Sequence, residues 1–201
     1  MKRWKTIFAN WKSQKGIHKQ ERRKRRSFQA RHTRQEVQKR RKLIIRLTHR
    51  ENLEIRNYLQ GLSETKEAAL MKHCIQHGRI STYEHVVSVA RLSFYLNRRL
   101  HVGAPDSELV RGAFLHDFYL YDWHEGGYPG RLHGLHHPAI ALKEASRRYP
   151  LTPVERNIIL SHMWPLTLFS FPRCRAAFLV CLADKICSAY EVVVQTRSLR
   201  C

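Results

Sequence analysis

From about residue 52 onward the apolar residues of this chain recur at helical spacing, and nowhere do polar and apolar positions alternate for more than a few residues. That pattern restricts the fold to helices packed on helices, so an all-α domain is expected over residues 51–201. A helix is expected around 64–76, stopped by His77-Gly78. The next begins near Ser81-Thr82, carries His85 in its first turns and sets Val86, Val89, Ala90, Ser93 and Leu96 on one face. Gly103-Ala104-Pro105 breaks the chain. Asp106 or Ser107 is then expected to cap a helix whose inward Leu109, Val110, Ala113 and Phe114 lead straight into His116-Asp117.

Residues 119–136 read as a loop, marked by Gly126-Gly127, Pro129-Gly130 and Gly134. Pro138 is expected as the first residue of the following helix, with His137 beside its N-cap. Thr152-Pro153-Val154-Glu155 combines an N-cap hydroxyl, a proline at the first helical position and a glutamate at the third, a capping box that opens a helix running to His162 and ending by Pro165. A last long helix follows Pro172. It carries Asp184, and Phe178, Cys181, Leu182 and Ile186 are expected in its core face.

Composition separates this domain from what precedes it. Residues 1–50 contain 19 of the 37 Lys and Arg but only 2 of the 16 acids, so most of the net charge of +21 belongs to that segment. It has too few apolar residues to bury a core of its own and is expected to be a basic helical or disordered extension. The run Arg22, Arg23, Lys24, Arg25 and Arg26 suits phosphates of RNA or an anionic membrane surface. Trp4, Ile7, Phe8 and Trp11 fall on one helical face opposite Lys2, Arg3, Lys5 and Lys12, a pattern that fits a lipid surface and equally fits docking on the chain's own domain.

The cysteines, Cys74, Cys174, Cys181, Cys187 and Cys201, are odd in number and never spaced Cys-x-x-Cys, which points to reduced thiols. No apolar run reaches the roughly 18 residues of a membrane span, and no secretion signal follows Met1. The expected location is cytoplasmic, at most peripheral to a membrane.

The residues that can carry chemistry are His85, His116, Asp117, His137, His162 and Asp184. Apart from the adjacent pair, each lies in or at the edge of its own helix, and packed helices can aim one side chain each at a common point. Imidazole and carboxylate suit divalent ions such as Mn, Fe, Co, Mg or Zn, one or two of them, and no cysteine is among the candidates. Asp117 could bridge two ions about 3.5–4 Å apart. Any one of the 13 histidines taken singly is an ordinary polar residue; the case rests on the set. An aspartate on each of two apolar helices would be costly to bury unpaired.

Tyr83-Glu84-His85, Leu115-His116-Asp117, His137-Pro138-Ala139-Ile140-Ala141, Leu160-Ser161-His162-Met163 and Leu182-Ala183-Asp184-Lys185, in this order over about residues 70–192, resemble the HD superfamily of metal-dependent phosphohydrolases. The resemblance implies that His85, His116, Asp117 and Asp184 bind a primary metal and that His137 and His162 mark the two-metal variety. His137 fits the pattern better than His136, which becomes a neighbour. The implied activity is hydrolysis of a small phosphate ester, with Asp117 and His116 at the catalytic centre. Lys185 either stabilises a phosphoryl oxygen or forms an ion pair on a helix flank. Arg131, His133 and His136 are expected to contact substrate, because they precede or open the helix start placed at Pro138.

Gly127-Tyr128-Pro129 spells a signature of the cyclic-dinucleotide branch but in the wrong order relative to His137. Phe118-Tyr119-Leu120-Tyr121-Asp122 lacks the acidic pair of the alarmone-hydrolysing branch. A minority of the superfamily uses a similar six-ligand set as a di-iron oxygenase, and a non-catalytic metal domain with a basic binding arm is the third alternative.

Overall fold

The computed structural model describes residues 45–77, 80–121 and 133–198. Seven helices and one two-stranded hairpin are found there: α1 (His49–Tyr58), α2 (Lys66–Met71), β1 (Ile75–His77), β2 (Ile80–Ser81), α3 (Thr82–Arg99), α4 (Asp106–Leu115), α5 (His133–Arg148), α6 (Pro153–Ser161) and α7 (Arg175–Ser198). The expected all-α class is found. The basic run Arg22–Arg26, the aromatic face of Trp4–Trp11, and Arg131 lie outside the described residues, as does the side chain of His133.

The helix starts follow local chemistry. Thr48, Ser81 and Thr152 each accept a hydrogen bond from the backbone N–H of the glutamate three residues on, and each glutamate returns one, so α1, α3 and α6 all begin in capping boxes. Helices α3, α4, α6 and α7 pack in a closed ring of neighbours, with α5 against α6 and α1 against α4. Phe94, Phe114, Leu109, Leu115, Ile158 and Ile159 are wholly buried between them. The turn from α3 to α4 is held by Asn97, whose amide donates to Ala104 O (2.9 Å) and Asp106 Oδ1 (2.7 Å) and whose oxygen accepts from Ala104 N. Glu155, buried at the head of α6, forms a 2.6 Å ion pair with Arg111 of α4 and so ties the two helices at that point.

Four local expectations are corrected. The helix around 64–76 is shorter: α2 ends at Met71, and Ile75–His77 pairs antiparallel with Ile80–Ser81. Asp106 does not cap α4. Pro105 occupies the N-cap position without a side-chain bond, because the Asp106 carboxylate is taken by Asn97 and Arg98.

Helix α5 starts at His133, so Pro138 and His137 lie inside it and the loop from 119 ends earlier than residue 136. Pro138, the sixth residue of the helix, has no N–H to donate to the carbonyl of Gly134, so one intrahelical bond is missing there. Finally, Phe178, Leu182 and Ile186 are 57, 42 and 43 % exposed, while Cys181 is buried as expected. The inward face of α7 is instead Ala176, Ala177, Val180, Ala183, Asp184, Cys187 and Glu191. Among the described residues no helix is long and apolar enough to cross a membrane.

Candidate metal centre

Helices α4 and α6 both end where the ring is closed from below by α3 and α7. Their C-cap residues are His116 and His162. In both, the imidazole Nδ1 donates to the carbonyl three residues back, Ala113 O at 2.7 Å and Ile159 O at 2.8 Å. This bond settles the tautomer: with the proton on Nδ1, the lone pair of Nε2 faces the centre. Two helix C-termini, each with a partial negative charge, also point there, which favours a cation.

All six expected ligands meet at this point and are buried. Asp117 stands in the middle. Its Oδ2 lies 3.4 Å from His116 Nε2 and 3.8 Å from His85 Nε2. Its Oδ1 lies 3.1 Å from His137 Nε2 and 3.4 Å from His162 Nε2. Asp184 Oδ1 completes the first group at 3.1 Å from His85 Nε2 and 3.8 Å from His116 Nε2. His137 and His162 approach each other to 2.8 Å between their Nε2 atoms. Four imidazole nitrogens thus converge on two carboxylates.

The electrostatics show what the cluster lacks. Burial pushes both carboxyl groups toward the neutral form, but the surrounding imidazoles outweigh it. Asp117 is held well below the usual carboxylate value by His116 and His137, and Asp184 is brought to about 2 chiefly by its bond with His85. Burial likewise works to discharge His85, yet its bonds to Asp184 and Glu191 raise it to about 10. Two anionic carboxylates are therefore balanced by protons on imidazoles. His116 Nε2 and Asp117 Oδ1 still take up no hydrogen bond, despite the close approach of His137 and His162 to the latter. Orphaned buried donors and acceptors of this kind need a partner, and N/O groups in this mixture are what borderline divalent ions accept. The cluster can hold a metal ion.

Two sets of residues within it have ligand atoms close enough for this, His85, His116 and Asp184, and His116, Asp117 and His162. No protein-family model, curated protein or solved structure matches this chain.

The other expected site residues fare differently. His136 is exposed on α5, and its neighbour His137 is the one brought to the cluster. Lys185 forms no ion pair among the described residues. Its Nζ donates to His162 O at 3.0 Å, with Cys181 O and Sγ at 3.3 and 3.2 Å, so it ties α7 to the carbonyl end of α6. A cavity of about 640 Å³ opens beside the cluster, lined by Asp117, His137, His162 and Asp184 with Lys185, Ser188 and the apolar Met163, Pro165 and Leu166.

Two participants were missing from the sequence expectation. Glu191 accepts from His85 Nδ1 at 3.1 Å and so leaves His85 Nε2 for the centre. It lies two turns after Asp184 on the same helix face, and that spacing was the available signal. Gln76 donates to Asp117 Oδ2 at 2.7 Å, while its own oxygen accepts from Tyr119 OH and Thr82 Oγ1. The two hydroxyls fix which end of the amide faces Asp117. Gln76→Leu and Glu191→Gln are each expected to weaken metal affinity by about 10–100-fold, the usual cost of an outer-shell partner, measured by competition with a chelating dye. Affinity equal to the parent protein in both would show that these contacts do not orient the cluster.

Because the metal must displace the proton that His85 keeps up to about pH 10, binding should release protons and tighten as pH rises from 7 toward 9. Calorimetry in two buffers of different ionisation enthalpy reads this directly. Affinity that is flat over that range would contradict the assignment of His85.

Proposed function

We propose that this chain is a two-metal phosphohydrolase of the HD kind, acting on a small phosphate ester. The observation that carries the proposal is the attitude of Asp117: one carboxylate oxygen faces His85 and His116, which Asp184 also approaches, and the other faces His137 and His162. A carboxylate so placed is suited to bridge two ions. Divalent ions held there (Mn, Fe, Co, Mg or Zn) would lower the pKa of a water toward neutrality and polarise a phosphoryl oxygen, the two requirements of phosphate-ester hydrolysis.

The chain's own groups supply the rest. Asp117 and Asp184 provide the negative charge that retains the cations, and His116 and His162 are locked by their Nδ1 bonds with Nε2 inward. Lys185, at the rim of the cavity, holds the last carbonyl of α6 and with it His162, and adds positive charge where a phosphoryl group would enter. Met163, Pro165 and Leu166 form an apolar wall on which the non-phosphate part of the substrate can rest and from which water is excluded.

A screen of phosphorylated metabolites with Mn, Co or Mg added tests this. Metal-dependent phosphate release that disappears in His116→Ala with helicity intact is expected. Release that survives the substitution would contradict the proposal. Oxygen consumption by the iron-loaded protein without phosphate release would replace it with the oxygenase reading.

A further inference from the structure

Over residues 165–189 every side chain that stands exposed is apolar or cationic, and no exposed acid or neutral polar group interrupts the stretch. Its bulky members project far: Phe169 is 96 % exposed, Leu168 70 %, Phe178 57 % and Phe171 51 %. Aromatic and aliphatic surface on this scale marks a contact on a water-soluble face. The cations are Arg173, Arg175 and Lys185. The Arg173 guanidinium lies 5.5 Å from the centre of the Phe171 ring, so charge and apolar surface share one face here. The carboxylate of α7 within this stretch, Asp184, is turned inward to His85.

We propose that the segment 165–173 and the outward face of the first half of α7 dock on an anionic lipid bilayer. Phe169, Leu168 and Phe171 would enter the interfacial region while the arginines meet lipid phosphates. Charge separates this partner from a second copy of the chain. A two-fold contact presents the same patch on both sides, so two cationic faces carrying Arg173 and Arg175, with no exposed acid on either, would meet, on a chain already at +21. An anionic surface turns the same charges into attraction. Leu166 is 55 % exposed on this face and also lines the cavity beside His137 and His162, so docking would bring the mouth of the cavity to the lipid interface.

The test uses the full chain, with its basic residues 1–50 intact, in co-sedimentation with phosphatidylglycerol–phosphatidylcholine vesicles and with pure phosphatidylcholine vesicles. Binding to the former is expected. The double variant Leu168→Asp/Phe169→Asp should partition at least about tenfold more weakly, as loss of two inserted apolar side chains requires. Arg173→Glu should partition roughly fivefold or more weakly. Both should melt at the parent temperature, since all three positions are exposed. Partition unchanged in both variants would overturn the proposal and assign lipid binding to residues 1–50. Absence of vesicle binding by the parent protein would also overturn it. So would a variant that loses a solution dimer or RNA binding while vesicle binding is unaltered.

Discussion

Asp117→Ala should remove both ions at once. Asp117 reaches His85 and His116 through Oδ2 and His137 and His162 through Oδ1, so four imidazole nitrogens lie within 3.8 Å of its two oxygens. The expected loss of metal affinity exceeds the roughly 10–100-fold that an outer-shell change costs. On the proposed phosphohydrolase reading, turnover of a phosphate ester should fall by about a thousandfold or more, because metal polarisation is worth several kcal/mol in the transition state and each 1.36 kcal/mol is about tenfold in rate. Asp117→Asn keeps the volume and an oxygen for Gln76 while removing the charge. An equal loss in that variant would separate electrostatics from packing. Retention of one tightly bound ion in either variant would mean that Asp117 serves a single ion and bridges nothing.

Gly112→Leu should be strongly destabilising although it lies outside the cluster. Gly112 lies in α4 against α6, and a Cβ there would sit 2.5 Å from Ile158 Cδ1, 3.1 Å from its Cβ and 3.2 Å from its Cγ2. The methyl end can rotate away. The Cβ and Cγ2 atoms move only if the helices separate. For Gly112→Ala, overpacking of about 1–3 kcal/mol is partly offset by roughly 1 kcal/mol of helix propensity, so its effect should be small. Leucine adds three more carbons beyond a Cβ that already meets Ile158. About 3 kcal/mol is expected, a fall of roughly 6–12 °C in Tm for a domain of this size. Since α4 and α6 end in His116 and His162, the same wedge should weaken metal binding. A Tm within a degree of the parent protein would show that the contact between α4 and α6 is loose.

What the sequence disclosed of this fold was whatever is decided within a few residues. Thr152-Pro153-Val154-Glu155 announces the start of α6 because the capping box closes within four positions, and the apolar run into His116-Asp117 announces an inward end to α4. The meeting of the six candidate ligands was legible only through their order along the chain, and the structure brings all six side chains together. Where several outcomes were locally equivalent, packing decided. Helix α7 is apolar on nearly every side, so periodicity could not choose its inner face. The choice falls to the side where Asp184 and Glu191 reach His85 and small Ala176, Ala177 and Ala183 permit close approach. That leaves Phe178, Leu182 and Ile186 outside.

Gln76 had no signal, since its role depends on a hairpin formed by Ile75–His77 and Ile80–Ser81 that brings it to Asp117 from 41 residues away. The start of α5 was misplaced for a related reason. Proline most often opens a helix, but the burial of His137 against Asp117 and His162 holds a turn ahead of Pro138 in helical form.

The central proposal is that this cluster would hold two ions, with Asp117 reaching both. Manganese-loaded protein, with metal counted per chain and its electron paramagnetic resonance recorded, tests it most directly. Two ions per chain with an exchange-coupled spectrum are expected, falling to one ion with an isolated spectrum in His137→Ala. No bound ion, or a single ion whose spectrum is the same in the parent protein and in His137→Ala, would contradict the account.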